Sequence, residues 1–215
     1  MAPNPVKIKP GRDIVHVKVG LGLQDFGIHK NLLCGYSPFF KTAFTSGFEE
    51  ARSGIMKLPE KDAKMFELFY NWLYTQELWD RDARREEWPE LEGLMKLYIF
   101  ADTVKVPVLK NHIIDTLQAI SNATRRLPVS VFPYVWSNTT ATDPIRTLMV
   151  DWLVWEFNER EFDENPEYFP PELRLQALKA MRRIISTYQR LKEIKDENLL
   201  VDMRKYHHKE DNAAQ

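Results

Sequence analysis

The stretch Ile14-Val15-His16-Val17-Lys18-Val19 sets the first limit on the fold. It is β-branched and alternating, so it reads as a strand with one face buried and the other wet. Gly20-Leu21-Gly22-Leu23 supplies a turn, and Gln24-Asp25-Phe26-Gly27-Ile28 is a hairpin partner. Beyond this point only Ile55-Met56-Lys57-Leu58, closed by Pro59, reads as another strand. So few short strands make a small sheet that helices must cap. The fold class is α+β.

Helical signals fill the rest. His29 to Tyr36 reads as a short apolar helix. Ser37-Pro38 opens the next, with serine as N-cap and proline at the first helical position. On that helix Phe40, Ala43 and Phe44 share a face, and Gly47 ends it. Asp62 caps a helix over 63–75, where Met65, Phe66, Phe69, Trp72 and Leu73 follow the i, i+3, i+4, i+7 rule. The segment 79–90 is charge-rich and reads as a solvated insertion. Periodicity returns over 91–104, and Pro107 opens a helix to about residue 122.

After residue 122 no strand signal remains. Asp143-Pro144 caps an apolar helix over 145–157, and Pro170-Pro171 introduces a long helix to about residue 195. On the long helix Leu178, Met181, Ile185 and Tyr188 form a stripe, with Arg182, Arg183, Arg190 and Lys192 largely off it. The organisation read from these signals is an extended lead-in over 1–12, an α+β domain over 13–122, a helical extension over 123–203 and a polar tail over 204–215. In the lead-in Val6 and Ile8 alternate with lysines, but Pro3, Pro5 and Pro10 limit strand pairing.

The net charge of -1 gives no broad field for nucleic acid or an acidic membrane, and Arg125-Arg126 and Arg182-Arg183 are too sparse for a nucleic-acid footprint. The single cysteine, Cys34, excludes an internal disulfide and a multi-cysteine zinc site, which fits a reducing compartment, cytoplasmic or nuclear. No apolar run reaches the roughly 20 residues of a membrane span. On that reading the triplets Asn122-Ala123-Thr124 and Asn138-Thr139-Thr140 are chance matches to a glycosylation signal.

Catalytic motifs are equally thin. Asp25-Phe26-Gly27 spells a kinase triplet but lies too early, with no ATP loop ahead of it. Gly20-x-Gly22 does not open a helix. His207 and His208, being adjacent, point in different directions on a helix and do not share a metal. The reading is of a chain that is not an enzyme and needs no cofactor. The six tryptophans are assigned mostly to core packing.

The order of short motifs carries a family likeness. Asp13-Ile14-Val15, Phe26-Gly27-Ile28-His29-Lys30, Leu32-Leu33 and Ser37-Pro38-Phe39-Phe40 resemble the opening of the BTB (POZ) domain. The resemblance continues through Phe44-Thr45-Ser46-Gly47-Phe48-Glu49-Glu50, the strand before Pro59, and Phe69 to Thr75. It closes with Leu97-Tyr98-Ile99-Phe100-Ala101-Asp102 and Val106-Pro107-Val108-Leu109. The C-terminal half is similar to the helical extension of small fungal BTB proteins.

This resemblance implies a non-catalytic protein-interaction module that forms dimers or larger assemblies. It further implies an adaptor for ubiquitin ligases built on cullin three. In such adaptors a loop presents a hydrophobic residue, any residue, then glutamate, and Phe48-Glu49-Glu50 matches at that place. Phe39, Phe40 and Phe44 then shape that surface or the core beneath it. Two readings of Phe48 stay open: a partner anchor, or a staple of its own loop against Phe44 or Ile55. The resemblance also sets Asp13 and Lys30 facing each other in a charged pocket near the dimer interface, or as an internal ion pair. The alternative to the adaptor is a homo-oligomerising scaffold without ligase function, since no separate client-binding repeat follows.

Overall fold

The computed structural model describes residues 8–80, 82–157 and 160–193, with the backbone alone described over 190–193. Val6, the polar tail and the paired histidines lie outside these residues. Three strands form the sheet: β1 (Ile14–Val19), β2 (Gln24–His29) and β3 (Ile55–Leu58), in the order β2-β1-β3. β1 and β2 are antiparallel, with Val15 opposite Ile28 and Val17 opposite Phe26. β3 runs parallel to β1, with His16 opposite Ile55. The alternation works as the sequence requires. Val15, Val17 and Val19 are buried, while Ile14 and His16 face outward. On the wet face the His16 ring nitrogen meets the Asp25 carboxylate at 3.0 Å.

A parallel pair needs a crossover, and three short helices supply it. They are α1 (Lys30–Tyr36), α2 (Pro38–Thr45) and α3 (Glu49–Ser53). α4 (Ala63–Thr75), α5 (Leu91–Thr103) and α6 (Pro107–Thr124) follow. Beyond them lie α7 (Phe132–Ser137), α8 (Pro144–Trp155), α9 (Arg160–Glu164) and α10 (Pro171–Glu193). The capping signals hold: Ser37 Oγ accepts from the Phe40 amide at 3.2 Å, and Asp62 Oδ1 accepts from the Lys64 amide at 2.8 Å.

The buried side chains form one cluster that runs from Val15 to Ala177. In its first half Phe40 stacks near Phe44 and Phe69, and Phe66, Phe69 and Phe100 meet edge to face. In its second half Phe132 stacks near Trp152 and meets Phe169 edge-on. The lead-in is stapled to α1. Asn31 Oδ1 accepts from the Gly11 amide, and its Nδ2 donates to the Lys9 carbonyl, both at 2.7 Å.

The structure departs from the sequence reading in several places. His29 ends β2 and stands at the N-cap position of α1 without a side-chain cap bond, its Nδ1 lying 2.9 Å from the Tyr74 hydroxyl. Glu49 and Glu50 do not sit in a loop; they form the first turn of α3, where negative charge suits the helix dipole. The insertion at 79–90 is anchored: Trp79 and Trp88 pack edge to face at 4.8 Å, and Arg85 Nη2 donates to the Ala123 carbonyl at 2.9 Å. Trp155 is exposed rather than in the core.

Candidate functional site

Phe44, named from sequence as a partner-binding residue, is 1% exposed and belongs to the core. Its position in α2 explains this. Phe40 and Phe44 are four residues apart, share the inner face of the helix and are both buried, whereas Phe39 points outward at 38% exposure. Phe44 supports the surface from below.

Phe48 stands outside the fold, 57% exposed, with extended backbone (φ -70°, ψ 164°) at the N-cap of α3. Two local features put it there. α2 ends at Thr45, and Ser46 donates its amide back to Thr42. α3 is held short because Gly54 takes φ 68°, a conformation that glycine adopts freely, and donates its amide to the Glu50 carbonyl at 2.9 Å. Of the two readings left open for Phe48, this exposure favours the partner anchor over the staple.

A groove of about 560 Å³ opens beside this ring. Phe39, Ala43 and Phe48 supply apolar wall, and buried Met56 of β3 lies at the floor. Glu50 and Lys105 put opposite charges on the rim. One buried hydroxyl fixes the frame. Ser37 Oγ, fully buried, donates to the Val104 carbonyl at 2.6 Å while capping α2, and so joins α2 to the end of α5. That bond sets the distance between Phe39 on one side and Thr103 and Lys105 on the other. The hollow beside His112, about 420 Å³, differs in chemistry, with Gln76, Glu77, Asp80 and Asp115 in its walls.

Such a groove has the shape to hold an apolar side chain, with a carboxylate at its edge that can accept hydrogen bonds. Burial pushes the Cys34 thiol above its ordinary range against the pull of Lys30 and Lys41, so it is a poor thiolate. Among the described residues no cluster of three or more His, Cys, Asp or Glu side chains is placed to hold a metal ion. Among them, too, no helix is long and apolar enough to cross a membrane.

Of the two readings of Asp13 and Lys30, the internal ion pair is the one corrected. The Lys30 amide donates to the Asp13 carbonyl at 2.8 Å, joining the start of β1 to the start of α1. Among the described residues, however, their side chains make no ion pair with each other. The backbone does the joining that the sequence assigned to the charges.

A different charged cluster was missed. Lys110 Nζ lies 2.9 Å from Asp102 and 3.1 Å from Asp143, and Tyr98 donates to Asp143 Oδ1 at 2.5 Å. The Lys110 ammonium also sits 4.5 Å above the Tyr98 ring. Burial opposes the charge on Lys110, but Asp102 and Asp143 outweigh it and raise its pKa. Burial, with the hydrogen bond to and the charge of Asp143, drives the Tyr98 phenol well above its usual range. The hydrogen bond from Lys110 lowers the Asp102 pKa. This clasp ties α5 and α6 to the start of α8. Asp143 was legible as a cap, which it is, accepting from the Ile145 amide at 3.2 Å; its partners 33 and 45 residues away were not.

Against known proteins, the model of the BTB/POZ domain family matches residues 11–120, a little over half of the chain. The match spans the sheet, α1 to α5 and most of α6, and it contains the whole groove.

Proposed function

We propose a function on one premise: the chain belongs to the BTB/POZ domain family, whose domain is a protein–protein interaction module and in general non-catalytic. The proposed role is that of an adaptor engaging a cullin scaffold of a ubiquitin ligase through the groove beside Phe48. The observation that carries this reading is the exposed Phe48 ring at the lip of an apolar groove, with the Glu50 carboxylate on the same rim. Burying such a ring on a partner is worth about 1.5–3 kcal/mol. Aromatic anchors seated in pockets dominate interface energetics. Phe39 adds apolar area, and Glu50 offers acceptors to the partner's donors.

The test is calorimetric titration of the full chain with a cullin N-terminal domain. Association is expected, weakened roughly ten- to a hundredfold by Phe48→Ala and weakened also by Glu50→Ala. No heat of binding at about 100 μM, a limit of roughly 5–6 kcal/mol, contradicts the adaptor.

A second reading, a self-associating scaffold, is favoured by one observation. Ile14 and Ile55 are both exposed on the outer face of the sheet, and their strands are neighbours. Light scattering decides it: a mass that is a multiple of the 25.4 kDa chain, returned to the single-chain value by Ile14→Lys, is the expected result, and a single-chain mass for the unaltered protein excludes it.

A further inference from the structure

α10 carries two apolar faces, and only one is used. Leu173 and Ala177 are buried and Ala180 packs against the core, an i, i+4, i+7 series that faces the rest of the protein. The stripe seen in the sequence lies on another face. Leu178 is 63% exposed, Ile185 49% and Tyr188 64%, with Met181 half-buried between them. The spacing of these four is i, i+3, i+7, i+10, the 3-4-3 seam by which one helix packs on another, and Leu175 and Ile184, also exposed, add apolar surface beside it.

Charge identifies what covers it. From Leu173 to Lys192 the helix has no acidic residue, but it has Arg174, Lys179, Arg182, Arg183, Arg190 and Lys192. The Arg174 guanidinium is engaged by the carbonyls of Phe169 and Pro166. Among the described residues Lys179, Arg182 and Arg183, all exposed, make no ion pair. Arg182 stands four residues after Leu178, at the flank of the seam, where charges choose the partner.

We propose that this face of α10 is a docking surface for an acidic amphipathic helix of another protein, whose apolar seam covers Leu178, Met181, Ile185 and Tyr188 and whose carboxylates meet Arg182. A second copy pairing through the same face fits poorly, because from Leu173 to Lys192 it presents the same cations and no acid. An anionic lipid surface fits less well, because one side of the helix is already packed on the core. The surface is separate from the groove beside Phe48, so it stands whether or not that groove binds a cullin. It offers the adaptor a place for a client.

The test uses the full chain and two fluorescent synthetic helices of about four heptads, with leucine at the seam positions and either glutamate or lysine flanking them. The glutamate peptide is expected to bind, at least tenfold tighter than the lysine peptide, and more weakly as salt is raised. Arg182→Glu and Ile185→Asp, both at exposed positions, are expected to lower its affinity tenfold or more. Phe48→Ala is expected to leave it unchanged. Equal affinity for the two peptides, or no binding of either at about 100 μM, overturns the proposal. So does binding to phosphatidylserine vesicles without binding to the peptide. A dimeric mass by light scattering that Ile185→Asp makes monomeric assigns the face to a second copy. Crosslinking of the unaltered chain that places residues 194–215 on the seam assigns it to the chain itself. Either result overturns an external partner.

Discussion

Two phenylalanines four residues apart do opposite work. Phe44 fills core space beside Phe40, and Phe48 waits in water. Replacing each by alanine separates folding from binding. Phe44→Ala is expected to lose about 3–5 kcal/mol of stability through the cavity it leaves. Phe48→Ala is expected to shift stability by no more than about 0.5 kcal/mol. Chemical denaturation of the two variants checks this; equal losses would mean that Phe48 is a core residue. Sequence reading found both rings but could not separate them. The sign of exposure depends on where α2 ends and how short α3 is. Both are set by backbone geometry at Ser46 and Gly54, not by hydrophobicity.

At the scale of elements, Ser37 joins two of them. Its hydroxyl caps α2 and also donates to the Val104 carbonyl at the end of α5. Ser37→Ala is expected to cost about 1–2 kcal/mol and to loosen the groove frame as well. The check is denaturation together with affinity for the cullin domain; an unchanged affinity would mean that the frame holds without this bond. The cap was legible from Ser-Pro alone, and so were β1, α4 and α8, because caps and periodicity are local. α3 was not legible, since five residues carry too little pattern. The seam on α10 was legible as a stripe. Its exposure was not, because Leu173 and Ala177 form the competing inner face and nothing in one helix says which face meets the core.

At the scale of the molecule, the Tyr98–Asp143–Lys110–Asp102 clasp binds the extension to the family domain. Its titration has a sign. The folded-state pKa values of Tyr98 and Lys110 are raised, so their contribution to stability is complete below about pH 10 and is lost as the pH rises through the folded values. Asp102 is lowered, so its contribution is present above about pH 4 and is lost as the pH falls through its folded value; being mostly exposed, it adds little. Stability is therefore expected to fall beyond about pH 10, and Tyr98→Phe is expected to flatten that fall while lowering stability at neutral pH. Denaturation curves from pH 7 to 11 test this, and an unchanged slope would remove Tyr98 from the linkage. The sequence announced none of it, because the clasp joins residues far apart in the chain.

The most direct measurement is amide hydrogen exchange of the full chain with and without a cullin N-terminal domain. Protection gained over residues 38–56 and 103–105, with none gained over the α10 seam, is expected. Binding that leaves 38–56 unprotected would place the interface elsewhere and contradict the role given to Phe48.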